Sequence, residues 1–250
     1  SPKGYVLSEE EIAVTIGKVD EVVEIELVNY FIKGNIALTK VDEDYPDNKL
    51  SGAVFEVYSD TNGDGKLDKD DTLLGEMKEL DGGVYQMSEL RYGKYLVKET
   101  KAPTGFVLDE NVYSVSVEEN GKTYTVENKA GVGFINAAQK GSLKIVKTSS
   151  DGKVEGFSFR VTGVDYDQTF KTDKNGEIVI EGLRIGDYTV SEVSDKASAG
   201  YILPADKQAT VKVDATAIVQ MHNEFRDTPK TGDDFNLGLW VSLAALSVVG

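Results

Sequence analysis

The sequence predicts an all-β chain: β-sandwich domains in tandem, followed by a C-terminal apolar segment that reads as a truncated membrane span. Three observations carry this. Apolar and polar residues alternate at period two in many short runs. Gly, Asn and Asp punctuate those runs, as in DKNGE and EENGK. And similar blocks recur in one fixed order along the chain, the mark of a repeated unit.

The repeat sets the boundaries. SPKGYVL (Ser1–Leu7), APTGFVL (Ala102–Leu108) and ASAGYIL (Ala197–Leu203) resemble one another. Each precedes alternating residues and then a segment with an asparagine: Asn29 in ELVNYF, Asn136 in GFINAA, Asn223 in QMHNEF. After the first two come a glycine (Gly34, Gly141) and a lysine-bearing strand, NIALTKVD and SLKIVKTS. The chain therefore divides into four parts. Residues 1–33 are the C-terminal part of a preceding sandwich, 34–140 one whole domain, 141–226 a second, and 227–250 a terminal signal. Both ends read as cut from something longer. Within the domains AVFEVYS, KYLVKET, VYSVSVE, SFRVTGV, EIVIEGL, DYTVSEV and ATVKVDA alternate as strands, and many short strands with frequent turns make sandwiches.

Composition narrows function. The 250 residues carry a formal net charge of −16, which argues against nucleic acid as a partner because the phosphate backbone needs a basic patch. There is no cysteine, so rigidity must come from something other than disulfides. A single histidine, His222, nearly excludes His-based metal or triad chemistry. No phosphate loop or paired-carboxylate cleft is visible, and the chain is not expected to be a turnover enzyme.

Strand parity singles out six residues, because side chains alternate between sheet faces. Lys40 extends the row of Ile36 and Leu38, Glu99 that of Tyr95 and Val97, and Asn136 that of Phe134. In the second domain Lys147, Glu192 and Asn223 extend the rows of Leu143/Ile145, Tyr188/Val190 and Val219/Met221. Such residues at strand ends can reach solvent. The alternative is burial, which is costly for Lys and Glu unless they are paired or neutralised. A buried neutral lysine is a nucleophile, and a buried protonated glutamate can shuttle protons. Attack on the Asn carboxamide would then release ammonia and join the first and last strands by an amide bond, once per domain.

These residues carry a family resemblance. YLVKETKAPTGF (Tyr95–Phe106) closely resembles the E-box of Gram-positive pilins and adhesin stalks. With GNIALTKVD before it and GFINAA after it, the domain resembles SpaA-type, prealbumin-like (immunoglobulin-like) sandwiches, related to the B-type repeats of collagen adhesins. The resemblance implies intramolecular isopeptide bonds Lys40–Asn136 and Lys147–Asn223, with Glu99 and Glu192 as catalysts. The second E-box, YTVSEVSDKASAGY, has Val193 in the usual Thr position and Ser198 in the usual Pro position. Lys144 lies near Lys147 but has the wrong parity. Asn29 has no lysine or glutamate partner within the chain. YPDNK (Tyr45–Lys49) is only a faint echo of a pilin motif.

TPKTG (Thr228–Gly232) resembles the LPxTG sorting motif with Thr for Leu, and the uncharged run Phe235–Gly250 comes after it. The resemblance implies cleavage by a sortase between Thr231 and Gly232 and transfer to peptidoglycan, with only transient membrane contact through the apolar span. Asp60–Asp71, DTNGDGKLDKDD, has the spacing of an EF-hand loop. Asp60, Asn62, Asp64, Asp68, Asp71 and the Lys66 carbonyl supply hard oxygen ligands for calcium, with Gly65 at the turn. The expectation is an extracellular, wall-anchored Gram-positive stalk or minor pilin that presents an upstream region to a host or surface ligand. The alternatives are a domain that itself binds a ligand, or the wall anchor of an upstream secreted enzyme.

Overall fold

The computed structural model describes residues 2–226. Thr231, Gly232 and the apolar run expected to form a truncated span lie outside the described residues. The described residues are all β, and among them there is no helix long and apolar enough to cross a membrane. They form two compact units that part near Gly141.

The first unit begins with residues 2–32, which hold one isolated bridge, Tyr5 to Phe31. Ile16, Val19, Val22 and Leu27 stand exposed there. Alternation alone does not make a sheet where no neighbouring strand covers the apolar face. The sandwich comes next: β1 (Lys33–Asp42), β2 (Val54–Ser59), β3 (Thr72–Glu76), β4 (Lys78–Glu79), β5 (Val84–Arg91), β6 (Gly93–Lys101), β7 (Val112–Val117), β8 (Thr123–Thr125) and β9 (Phe134–Asn136). One sheet runs β4-β5-β1-β8, with β9 also on β1, and the other runs β3-β2-β6-β7. Ile36, Leu38, Phe55, Val57, Tyr85, Val97 and Phe134 fill the space between them. The Phe55 ring meets Tyr85 and Phe134 edge-on, with centroids 5.2 and 5.0 Å apart.

The second unit repeats the plan: β10 (Lys140–Ser149), β11 (Ser158–Gly163), β12 (Tyr166–Lys171), β13 (Glu177–Arg184), β14 (Gly186–Glu192), β15 (Tyr201–Ile202), β16 (Lys207–Val211) and β17 (Thr216–Phe225). Its sheets run β13-β10-β17-β15 and β12-β11-β14-β16. Leu143, Ile145, Phe157, Phe159, Val161, Tyr188, Val190 and Met221 are buried in it.

Two differences matter for the site. Where the second unit closes with one strand of ten residues, β17, the first uses β8 and the three-residue β9 with a loop between. The hairpin β11–β12 turns on Val164 and Asp165, whereas β2–β3 is joined by the whole Asp60–Asp71 segment. In both units the first strand lies parallel to the last, an arrangement that needs a long crossover connection between them.

Candidate functional site: a buried lysine, glutamate and asparagine in each sandwich

Period-two alternation places Lys40, Glu99 and Asn136 on the inner faces of β1, β6 and β9. All three are enclosed, Lys40 and Glu99 completely. Register brings them together. Lys40 pairs with Phe134 across β1 and β9, and Asn136 lies two residues farther along. Lys147 pairs with Met221 across β10 and β17, and Asn223 again lies two residues farther along. Residues so related share a face and stand a diagonal apart, within reach of a long side chain. On the opposite sheet Glu99 pairs with Phe55 and Glu192 with Phe159. The backbone N–H of each lysine donates to a glycine carbonyl, Gly83 at 2.7 Å and Gly176 at 2.8 Å. Both glycines have positive φ, 80° and 79°. A Cβ on Gly176 would sit 2.7 Å from the Lys147 carbonyl oxygen.

In the first sandwich Lys40 Nζ is 3.8 Å from Glu99 Oε1. It donates to the Phe134 carbonyl at 3.1 Å and lies 5.0 Å from the Phe134 ring centroid. The Asn136 Nδ2 donates to both Glu99 oxygens at 3.0 Å. The Asp109 backbone N–H donates to Glu99 Oε2 at 2.8 Å. Burial pushes the Lys40 amine down from 10.5 to about 8, against the pull of Glu99 and Asp109. Burial pushes the Glu99 carboxyl up, against its hydrogen bonds from Asp109 and Asn136 and the charge of Lys40.

The second sandwich has the same three residues buried in the same register. Asn223 Nδ2 donates to Glu192 Oε1 at 2.6 Å. Lys147 is turned differently: its Nζ donates to the Thr148 carbonyl at 2.5 Å and lies 4.2 Å from the Phe157 ring centroid. Burial again lowers the lysine and raises the glutamate. Buried Ser198 keeps the turn that Pro103 makes in the first E-box. Tyr201 N–H donates to the Ser198 carbonyl at 2.9 Å, as Phe106 N–H does to Pro103 at 3.1 Å. Lys144, on the other face of β10, pairs with Glu177 at 2.7 Å. Asn29 is exposed.

In both sandwiches the asparagine side-chain oxygen is buried without a hydrogen-bond donor, as is Glu192 Oε2. A buried polar atom left unpaired costs about 1–3 kcal/mol, so two identical orphans at matching positions are a feature of the site.

The Asp60–Asp71 loop is wound by its own carboxylates. Asp60 accepts from Gly63 and Gly65 N–H at 2.7 and 3.1 Å. Asp64 accepts from Lys66 N–H at 2.8 Å, and Asn62 Nδ2 donates to Asp68 at 3.2 Å. Asp71 closes the loop by accepting from Thr61 and Asp68 N–H at 3.1 and 2.9 Å. The oxygen donors suit a hard cation by chemistry. Among the described residues, however, no three or more His, Cys, Asp or Glu side chains converge closely enough to hold a metal ion.

Sequence reasoning missed Asp109, Tyr113 and Asn128. Asp109 and Asn128 sit in loops, where no periodicity marks them, and Tyr113 lies in the alternating β7 with nothing in the alternation to mark its hydroxyl; yet they hold the surroundings of Glu99 and Asn136.

A family model described as the SpaA prealbumin-like fold domain matches residues 34–130 and again residues 141–225. Among solved structures the chain is similar to the Bacillus anthracis TIE protein, with 26% identity and a TM-score of 0.67 over 90% of this chain and 40% of that one. The chain thus spans well under half of the length of that protein. It is also similar to GBS52, the minor pilin of Streptococcus agalactiae, with 17% identity and a TM-score of 0.35 over 79% of this chain and 98% of that one. The shaft pilin SpaA from Lactobacillus rhamnosus GG matches at 14% identity and a TM-score of 0.34, over 78% and 98% of the two chains. Curated protein sequences give no match.

The lysine shift has a consequence for stability. An Asn136→Ala chain keeps Lys40 and Glu99 but has no carboxamide. Between about 8 and 10.5 its folded state holds Lys40 neutral while the unfolded chain still binds the proton. Stability should therefore rise with pH through that window. Urea midpoints of Asn136→Ala, measured against Lys40→Met at the same pH values, should diverge upward. A constant difference would contradict a lysine depressed by burial.

Proposed function

Because the chain belongs to the family of SpaA prealbumin-like fold domains, through both of its sandwiches, we propose that it is the rigid stalk of a sortase-anchored surface protein or minor pilin. Each sandwich staples itself with one Lys–Asn amide bond. The observation that carries the reading is the duplicated trio: Lys, Glu and Asn buried in the same register in two sandwiches.

The chemistry grows out of the site. A neutral Lys40 Nζ attacks Asn136 Cγ, forming the N–C bond. Protonated Glu99 gives its proton to the Asn136 side-chain oxygen as Nζ attacks, then as carboxylate takes a proton from the attacking nitrogen and passes it to Nδ2. The oxygen returns its proton to Glu99 as the Cγ–Nδ2 bond breaks, so ammonia leaves and Glu99 ends as it began. A protonated Glu99 would also donate to the Asn136 oxygen once the carboxamide turns, which answers the orphaned acceptor. Lys147, Glu192 and Asn223 have the same parts in the second sandwich. The event happens once per domain and is not turnover. In the chain-entropy model, closing a loop of about 100 residues adds roughly 4–5 kcal/mol.

The intact chain should be lighter than its sequence by one ammonia per bond. Glu99→Ala should restore one ammonia and leave the second loss in place. A chain of full sequence mass would reject the stapling.

TPKTG is the proposed sorting motif, with the wall peptide as the acceptor of Thr231. A purified sortase and a glycine nucleophile should release residues from Gly232 onward and add the nucleophile to Thr231. Thr231→Ala should block this, and cleavage anywhere else would reject the motif.

Calcium is the proposed ligand of the Asp60–Asp71 loop, where it would draw the carboxylates together and replace their backbone partners. Calcium should raise the melting temperature of the first sandwich and leave that of the second unchanged, and Asp60→Ala should remove the effect. An equal response of both sandwiches would reject the assignment.

A further inference from the structure

The two sandwiches hold their asparagines by different means. Asn223 is part of the ten-residue β17, whose ladder with β10 is continuous from Thr216 to Asn223. Asn136 ends the three-residue β9, cut off from β8 by residues 126–133. So short a strand has few ladder bonds to fix the aim of its last side chain.

A side chain supplies what the strand lacks. Ile135, the neighbour of Asn136, has both backbone groups bound by the Asn128 amide. Ile135 N–H donates to Asn128 Oδ1 at 2.6 Å, and Asn128 Nδ2 donates to the Ile135 carbonyl at 2.9 Å. This is the pairing a neighbouring strand would give, made by one carboxamide. The same Nδ2 donates to Asp109 Oδ2 at 2.9 Å, which also accepts from Tyr113 OH at 2.6 Å. Asp109 in turn donates its backbone N–H to Glu99 Oε2 at 2.8 Å. The Tyr113 ring packs edge-on against Phe134 of β9, with centroids 5.1 Å apart. One connected path therefore runs from the strand that carries Asn136 to the carboxyl of Glu99.

We infer that Asn128 is a positioning residue for the cross-link of the first sandwich: it aims Asn136 and, through Asp109, Glu99, and the second sandwich needs no such residue. The inference rests on the proposed Lys–Asn bond formation. Asn128 touches neither Lys40 nor the bond that breaks, so its effect is on geometry. Small misplacements of reacting groups slow such steps by large factors, which sets the expected size at about tenfold to a hundredfold. The titratable groups around Asn128 are its neighbours Glu127 and Lys129 in the loop, Asp109 and Tyr113 in the path, Glu99 and Lys40 beyond them, and Glu43 across the shared surface recess.

The test tracks bond closure in full-length chains harvested at successive times after synthesis, with each bond read by peptide mapping. In Asn128→Ala the Lys40–Asn136 bond should form about tenfold to a hundredfold more slowly, while Lys147–Asn223 closes at the unaltered rate in the same molecule. An unchanged rate in the first sandwich would overturn the inference. A second variant covers loss of folding. Asn128→Asp keeps the acceptor for Ile135 N–H but sets a carboxylate against Asp109. Below about pH 5 a proton shared between the two carboxyls restores the link to Asp109, and with it the path to Glu99, but not the bond to the Ile135 carbonyl, so recovery is partial. The rate of Asn128→Asp relative to the unaltered chain should therefore recover in part as pH falls from about 7 to about 5. A pH-independent ratio would overturn the inference, because a general packing defect has no such dependence. Should the unaltered chain lose no ammonia at all, it is the cross-linking that fails; should it lose two and Asn128→Ala behave like it, only the role of Asn128 fails.

Discussion

Everything distinctive in these sandwiches depends on burying an amine beside a carboxyl inside an apolar core. Neither group tolerates charge there, so burial drives the lysine down and the glutamate up. In an ordinary domain this would be a plain loss of stability. Here the two shifts move the groups toward the protonation states that attack on a carboxamide requires. In the proposed cross-linking the core and the chemistry are one arrangement, and the aromatic residues around it, Phe55, Phe134 and Phe157, are part of the site with the trio.

The parallel pairing of first and last strands is the second requirement. It sets the lysine and asparagine two residues apart along adjacent strands, on the same face. An antiparallel pair could hold the same residues, but the entry and exit of the domain would then lie at the same end. The crossed topology instead would let the proposed bond, near one end of both strands, join the incoming chain to the outgoing one.

Much of this was legible in the sequence, because strand alternation is a strict period and a buried Lys or Glu breaks it visibly. Lys40, Glu99, Asn136 and their three counterparts stood out for that reason. The Asp60–Asp71 segment was legible by spacing and does span the whole β2–β3 connection. Convergence of its carboxylates was not legible, since it depends on which backbone donors they engage. Asn128 and Asp109 were invisible because their partners are fixed by loop geometry, not by period. The alternation within residues 2–32 shows the reverse: a strand pattern is a statement about faces, and becomes a strand only when another strand lies beside it.

The split of the last strand into β8 and β9 bears on the consequence that the proposed bond between Lys40 and Asn136 would have. Residues 41–135 would lie inside a closed covalent ring, with the Asp60–Asp71 loop and the β8–β9 connection both within it. A protease that cuts either one would open the ring without dividing the chain, since the proposed amide bond would still tie the residues before Lys40 to those after Asn136. With both proposed bonds in place, cleavage in either connection would leave the molecule in one piece, whereas a single cut between Asn136 and Lys147 would sever it.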